Sequence, residues 1–112
     1  MTLNEVIEHC LAKAGAEESY PWGDAELVPK VGGKAFAFIG LGEHTVGLKF
    51  GADAVEWRDR YPDDISISAY IGRYGWNVVK INGTVPDDEL LELLDRSYDA
   101  VVAKLPKSKR PA

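Results

Sequence analysis

Three stretches with helical periodicity, five strand-like stretches between them and a length suited to one core predict an α+β fold. The expected architecture is a two-layer sandwich of order α-β(3)-α-β(2)-α, a mostly antiparallel sheet with helices packed on one face. The chain has 112 residues, 46% apolar and 28% charged. That is ordinary for a soluble globular domain and too apolar for a disordered one. A domain of this size buries ~60–70% of its extended surface, enough for one core and not two. Residues 1–106 are read as the single domain and 107–112 as a basic flexible tail.

Residues 3–14 carry Leu3, Val6, Ile7, Cys10, Leu11 and Ala14 at intervals of three and four, one apolar stripe of a helix. Thr2 with Glu5 forms a capping box, and Gly15 suits the helix end. Residues 16–24 read as a loop broken by Pro21 and Gly23. Strands follow at 25–31 and 34–40, joined by the hairpin dipeptide Gly32-Gly33, with Pro29 marking an edge or bulge. A third strand, 44–50, alternates Val46, Leu48 and Phe50 with Thr45, Gly47 and Lys49. Residues 52–61 fit a short helix stopped by Pro62. Residues 65–70 alternate as a strand, Gly72 to Gly75 turn, and 76–81 form the last strand. The longest helix, 86–104, has Pro86 near N1, acids in its first turn and an inner stripe of Leu90, Leu94, Tyr98, Val101 and Leu105.

Catalytic chemistry finds little support. His9 and Cys10 are helix neighbours that cannot face each other, and Cys10 lies on the apolar stripe, where an inert buried thiol fits better. No third group is marked out to orient His9 or His44, and no nucleotide-loop or nucleophile-elbow motif occurs. An enzyme is not expected, and no cofactor is implied. One cysteine excludes an internal disulfide. Asp88, Glu92, Asp95 and Asp99 make a carboxylate stripe that could hold a hard cation weakly, but a solvated helix face explains it better. No stretch is long and apolar enough to span a membrane, and the first residues lack a signal-peptide pattern, so a reducing cytoplasm is expected.

The net charge of −5 argues against polyanion partners, but its distribution is uneven. The three helical regions with their flanks carry −4, −3 and −5, the strand regions +1 and +2, and residues 104–112 carry +4. If Val46, Leu48, Phe50, Ile65 and Ile67 face the helices, then Thr45, Lys49, Ser66, Ser68 and Tyr70 face away. Parity leaves open whether Phe36 and Phe38, or Ala35, Ala37 and Ile39, point to the core, and likewise for Trp76, Val78 and Lys80. One consistent choice puts Lys34, Lys49, Tyr70, Trp76 and Lys80 on one open face, where cations interleaved with aromatics suit base stacking or an anion. The plainer alternative is a solvated face with lysines for solubility. The dense stretch Tyr70-Ile71-Gly72-Arg73-Tyr74-Gly75-Trp76-Asn77 could present Arg73 to phosphate and Tyr74 to a base, or could be a tight turn with its aromatics packed back.

Several short segments carry a resemblance over nearly the whole chain. They are Tyr20-Pro21-Trp22-Gly23, Lys30-Val31-Gly32-Gly33-Lys34-Ala35-Phe36-Ala37, Leu48-Lys49, Arg60-Tyr61-Pro62, Trp76-Asn77-Val78-Val79, Val85 to Leu91, and Ser97 to Pro106. In order and spacing the chain resembles the MmcQ/YjbR-like family of small bacterial proteins. The resemblance implies a fold similar to type III secretion chaperones and to the CyaY-like, frataxin-like shape. It also implies DNA binding through a double-wing arrangement of hairpins, with no catalytic residue set. Before the last strand, members often carry a His and a Lys-Arg-His-Trp-like run. Here Arg73 and Trp76 alone carry over, and the smaller number of cations weakens the inference of DNA binding.

The leading expectation is therefore a non-enzymatic cytoplasmic binding module for DNA. It would use the sheet face (Lys34, Lys49, Lys80), the connection (Tyr70, Arg73, Tyr74, Trp76, Asn77) and the basic C-terminal residues Lys104, Lys107, Lys109 and Arg110. The alternative is a protein-interaction module using the acidic helical face, or a small anionic ligand held near Trp22, Tyr70, Trp76 and Tyr98 beside Lys34 and Lys49.

Overall fold

The structure, a computed structural model, describes residues 1–111. Helix α1 (Leu3–Leu11) starts at the expected capping box: the Glu5 N–H donates to Thr2 Oγ1 and the Thr2 N–H to the Glu5 carboxylate. It is shorter than 3–14, since turns and a bend take residues 12–15 before Gly15 enters the left-handed region. Helix α2 (Ala54–Arg60) follows a short 3-10 turn, Gly51–Asp53. Helix α3 (Asp87–Ala103) opens after Pro86 with Asp87, Asp88 and Glu89 in its first turn, where carboxylates oppose the positive helix end.

The first two predicted strands are each broken in two. Residues 25–31 become β1 (Glu26–Leu27) and β2 (Lys30–Val31), and residues 34–40 become β3 (Lys34–Ala35) and β4 (Phe38–Gly40). Strands β5 (Thr45–Lys49), β6 (Ile65–Ile67) and β7 (Trp76–Lys80) complete the set. The main sheet has the order β1-β4-β5-β7-β6, antiparallel throughout, while β2 and β3 form a separate ribbon around Gly32-Gly33.

Both breaks have a physical cause. Pro29 has no N–H to give to a ladder, so the first strand divides around it. The second break is made by Ser97 of α3. Phe38 pairs with Gly47, so an unbroken ladder would put Phe36 opposite Lys49. Instead the Lys49 N–H donates to Ser97 Oγ (2.9 Å), and the Ser97 hydroxyl donates to the Phe36 carbonyl (2.7 Å). One buried hydroxyl thus stands in for a ladder bond and holds the strands apart. Phe36, Ala37 and Ile39 are consequently all buried while Phe38 lies on the other face, a pattern neither parity choice allows.

The helices cover one face of the sheet. Val6 and Cys10 of α1, Trp57 of α2 and the predicted stripe Leu90, Leu94, Tyr98, Val101 and Leu105 pack over Leu27, Ile39, Val46, Leu48, Ile65 and Val79. Ile67 departs from expectation. It has the parity of Ile65 but lies on the edge strand against Gly72 and stays 57% exposed.

Residues 107–110 of the expected tail lie against the end of α3. Lys107–Lys109 form a 3-10 turn, and Arg110 donates to the carbonyls of Leu105 (2.9 Å) and Ala103 (3.0 Å). The end of α3 leaves carbonyls without intrahelical donors, and Arg110 supplies one at Ala103 while its second bond holds Leu105 just beyond the helix. Of the predicted tail, Ala112 lies outside the described residues. Among the described residues no helix is long and apolar enough to cross a membrane.

Candidate functional site

The uncovered face of the sheet follows from register. Residues directly opposite one another share a face, and the Ile39–Val46–Val79–Ile65 rung is in the core. The alternate rungs therefore face outward: Glu26–Gly40–Thr45–Lys80, Phe38–Gly47–Val78–Ser66, and Lys49–Trp76. Two clefts adjoin these rungs, the larger among them and the smaller between Lys49–Trp76 and the end of α3.

The larger cleft has a volume of about 480 Å³. Its walls include Trp22, Phe38 and Tyr70, its floor Gly47 and Val78, and its polar groups Glu26, Thr45 and Ser68. Trp22 reaches it because the 16–24 loop is tied to the strands beneath by paired bonds between Glu17 and Lys30 and by Val28 N–H to Ser19 O (2.8 Å). Trp22 is 71% exposed and Tyr70, with its backbone in the left-handed region, is 94% exposed. A bulky residue rarely adopts that conformation, and such strain is commonest at functional positions. Gly47 has no backbone need of this kind. Its role is spatial: an added Cβ would stand 3.4 Å from Phe38 Cβ, so a longer side chain would fill the floor. Ser68 is 8% exposed, and its buried hydroxyl has no hydrogen-bond partner among the described residues.

The smaller cleft, about 270 Å³, gathers Lys34, Lys49 and Lys104 beside Trp76, over a floor of Ala35, Val101, Leu105 and Pro106. No carboxylate lines it, and none of the three lysines is in an ion pair among the described residues. Desolvation, and then the neighbouring Lys104 ammonium, push the Lys49 pKa below its ordinary value. An aromatic row joins the two clefts. The Trp22 and Phe38 ring centroids are 6.2 Å apart, and Phe38 meets Trp76 edge-on at 5.4 Å.

Lys49, Trp76 and Lys80 share the open face as one of the sequence choices had it, although Lys80 lines neither cleft. Lys34 is not on the main sheet; the β2–β3 ribbon brings it to Lys49 from the side. Tyr70 lines the large cleft. Arg73 stacks on Tyr74 at 4.9 Å in the 3-10 turn Gly72–Tyr74, and neither residue reaches a cleft. Lys107 and Lys109 are exposed on the docked turn.

Two expected site residues are displaced. Asn77 is fully buried (0%), because its parity is opposite to that of Trp76. Its amide donates to the Ala54 carbonyl (3.0 Å) and accepts from Arg58 (2.8 Å), so it ties α2 to the sheet. Tyr98 is also in the core, with its hydroxyl donating to the Ala14 carbonyl (2.5 Å), and it does not join Trp22, Tyr70 and Trp76. In the acidic stripe, Asp95 is engaged by Lys13 (2.5 Å) and His9 (2.7 Å). Sequence reasoning missed Glu26, Phe38, Gly47 and Ser68 as site residues. The available signal was Gly47, a glycine on the alternating pattern of a strand with no turn to explain it.

The sequence pattern of the YjbR family matches residues 11–100, which include every strand. The proteins named YjbR in Escherichia coli strain K12 and in Escherichia coli O157:H7 are each 32% identical to the chain, over 98% of its length and 95% of theirs. The crystal structure of Deinococcus radiodurans protein DR2400, described by the domain name DUF419, superposes with a TM-score of 0.88 at 28% identity. The match covers 96% of this chain and 84% of that one. A family pattern over most of the chain and relatives aligned nearly end to end confirm the resemblance read from the sequence: the chain belongs to the YjbR family.

Proposed function

We propose that the chain is a non-enzymatic module that binds DNA on the open side of its sheet, as unpaired strand in preference to duplex. The observation that carries this reading is the aromatic row Trp22–Phe38–Trp76 leading to three lysines that have no ion-pair partner among the described residues. Rings on a sheet stack with bases and cations take the phosphates, and stacked duplex bases are not available to such rings. Lys80, Arg73, Lys107 and Lys109 extend the positive surface beyond the clefts, and the acidic helical layer repels the polyanion from the opposite side.

The test is a salt titration of fluorescence anisotropy with labelled single-stranded and duplex oligonucleotides. Binding at low salt should favour the single strand. Replacing Lys49 and Lys104 by Ala should reduce the log–log salt slope by about 1.4, at ~0.7 per phosphate contact on single strands. Absence of binding to either form at low ionic strength refutes the reading.

The gathering of three lysines beside Trp76 in one cleft favours a second reading, a small phosphorylated ligand held by Lys34, Lys49, Lys104 and Trp76. Its volume lies just under the ~300–1,000 Å³ usual for small-molecule sites. Saturable binding of a nucleoside monophosphate, lost in Lys49→Ala and unaccompanied by oligonucleotide binding, would select this reading over the first.

A further inference from the structure

We infer that the large cleft is a base pocket selecting nucleobases that carry an exocyclic amine, through the Glu26 carboxylate and the unpartnered Ser68 hydroxyl. The inference rests on the DNA reading and specifies which bases the face prefers.

Flat walls come first. Trp22, Phe38 and Tyr70 bound a cleft of about 480 Å³, and Gly47 keeps its floor open. A glycine inside a central strand weakens the strand, and no left-handed backbone requires one here, so the space itself is the reason for it.

Polar chemistry then narrows the occupant. Ser68 Oγ is buried with no hydrogen-bond partner among the described residues, which costs stability unless a ligand supplies one. Glu26 lines the same cleft and takes part in no ion pair among the described residues. A carboxylate only accepts hydrogen bonds, so the edge turned towards it must donate. Cytosine offers its N4 amine, a recognised partner for Glu. Thymine has no amine; its one donor, N3–H, lies between two carbonyls that set acceptors against the carboxylate on either side, so it pairs with Glu26 less well. An apolar side chain from a second copy would leave Ser68 unpartnered and bury Glu26 without compensation.

Charge divides the work between the clefts. Glu26 disfavours phosphate in the large cleft, and the lysines favour it in the small one. The Phe38–Trp76 contact links them, so a strand with a base in one can place a phosphate in the other.

The experiment compares oligo-dC with oligo-dT of equal length on the full chain at one salt concentration and neutral pH. Free cytidine and thymidine are titrated in parallel against the indole resonances, with Trp22→Phe identifying the Trp22 signal. Oligo-dC should bind about tenfold tighter. Glu26→Gln should bring the ratio towards one without altering the salt slope, because a carboxamide can also donate to a thymine carbonyl. Ser68→Ala should reduce the preference, and Gly47→Val should remove cytidine binding. Should Gly47→Val fail to fold by circular dichroism, the Glu26 and Ser68 variants still decide.

Equal affinities for dC and dT, or a preference that survives Glu26→Gln, overturn the base pocket and leave the DNA reading standing. If neither oligonucleotide binds, the DNA reading fails and the nucleosides decide the pocket: a Trp22 shift with cytidine alone supports it, and no shift with either overturns it. Self-association that shields Trp22, with no response to cytidine, also overturns it in favour of a second copy.

Discussion

Replacing Ser97 by Ala should destabilise the fold far more than its size suggests. The side chain is buried and bridges two backbone groups, accepting from the Lys49 N–H at 2.9 Å and donating to the Phe36 carbonyl at 2.7 Å. Alanine leaves both without a partner, inside the angle where β3 and β4 diverge from β5. An unsatisfied buried polar group costs roughly 1–3 kcal/mol, so two should cost about 2–6 kcal/mol against a total stability of ~5–15 kcal/mol. Urea unfolding followed by tryptophan fluorescence measures the loss. With a slope of about 2 kcal/mol/M for a small domain, the midpoint should fall by about 1–3 M. A shift below ~0.3 M at unchanged slope would refute the reasoning. It would mean that the strands close and remake a direct Lys49–Phe36 bond at little cost.

Three further outcomes follow from other buried groups. Burial pushes the Cys10 thiol up to about 12, so a disulfide reagent at pH 8 should leave the native protein unmodified and label it fully in urea; rapid native labelling would contradict the burial. Hydrogen bonds from the Thr84 side chain and backbone hold the Asp64 carboxyl below its ordinary value; burial opposes ionisation of Asp95, but Lys13 and His9 outweigh it and lower that carboxyl too. A depressed carboxyl stabilises the fold above its unfolded value of ~3.9, and the contribution is lost as pH falls through the folded value. Chemical-denaturation midpoints should therefore drop below about pH 4, and less steeply in Asp64→Asn; an equal drop in both proteins would remove Asp64 from the account. Asn77→Ala strands the Ala54 carbonyl and Arg58 and should cost ~1–3 kcal/mol while leaving the DNA affinity of the folded protein unchanged, whereas reduced affinity in a stable variant would restore Asn77 to the binding face.

The helices were legible because each repeats its apolar residues over several turns, and packing follows that period. The α3 stripe from Leu90 to Leu105 is buried as read. The strands were legible in number along the chain but not in their breaks. Pro29 announces its own break, since a missing N–H is a local property. Nothing local announces the second, because its cause is a serine more than forty residues away whose helix reads as polar there. Parity reasoning fails beyond that point: Phe36 and Ile39 both point inward, three positions apart, which an unbroken strand forbids. The same limit hid the site. Lys34 and Lys104 meet only because the diverted β2–β3 ribbon approaches the end of α3. Asn77 shows the converse, a polar residue in an aromatic stretch that suggests a surface and belongs to the core.

Charge distribution now has a structural reading beyond the acidic helices and basic strands. Four of the helical carboxylates are engaged in holding helices and termini in place. Asp95 binds Lys13 and His9, Asp53 binds Arg96, Glu89 binds Arg60 and Tyr61, and Asp87 meets the N-terminal ammonium. Lys34, Lys49 and Lys104 have no such work among the described residues, although acidic residues outnumber basic ones by 18 to 13. In a chain with surplus carboxylates, three ammoniums gathered over an apolar floor without one are not explained by solubility, which needs charge dispersed over the surface. Their mutual repulsion opposes the fold, and a bound anion would relieve it. On the proposed reading, the aromatic row would favour an anion whose charge is attached to flat rings, as phosphate is to a base in a nucleic-acid strand.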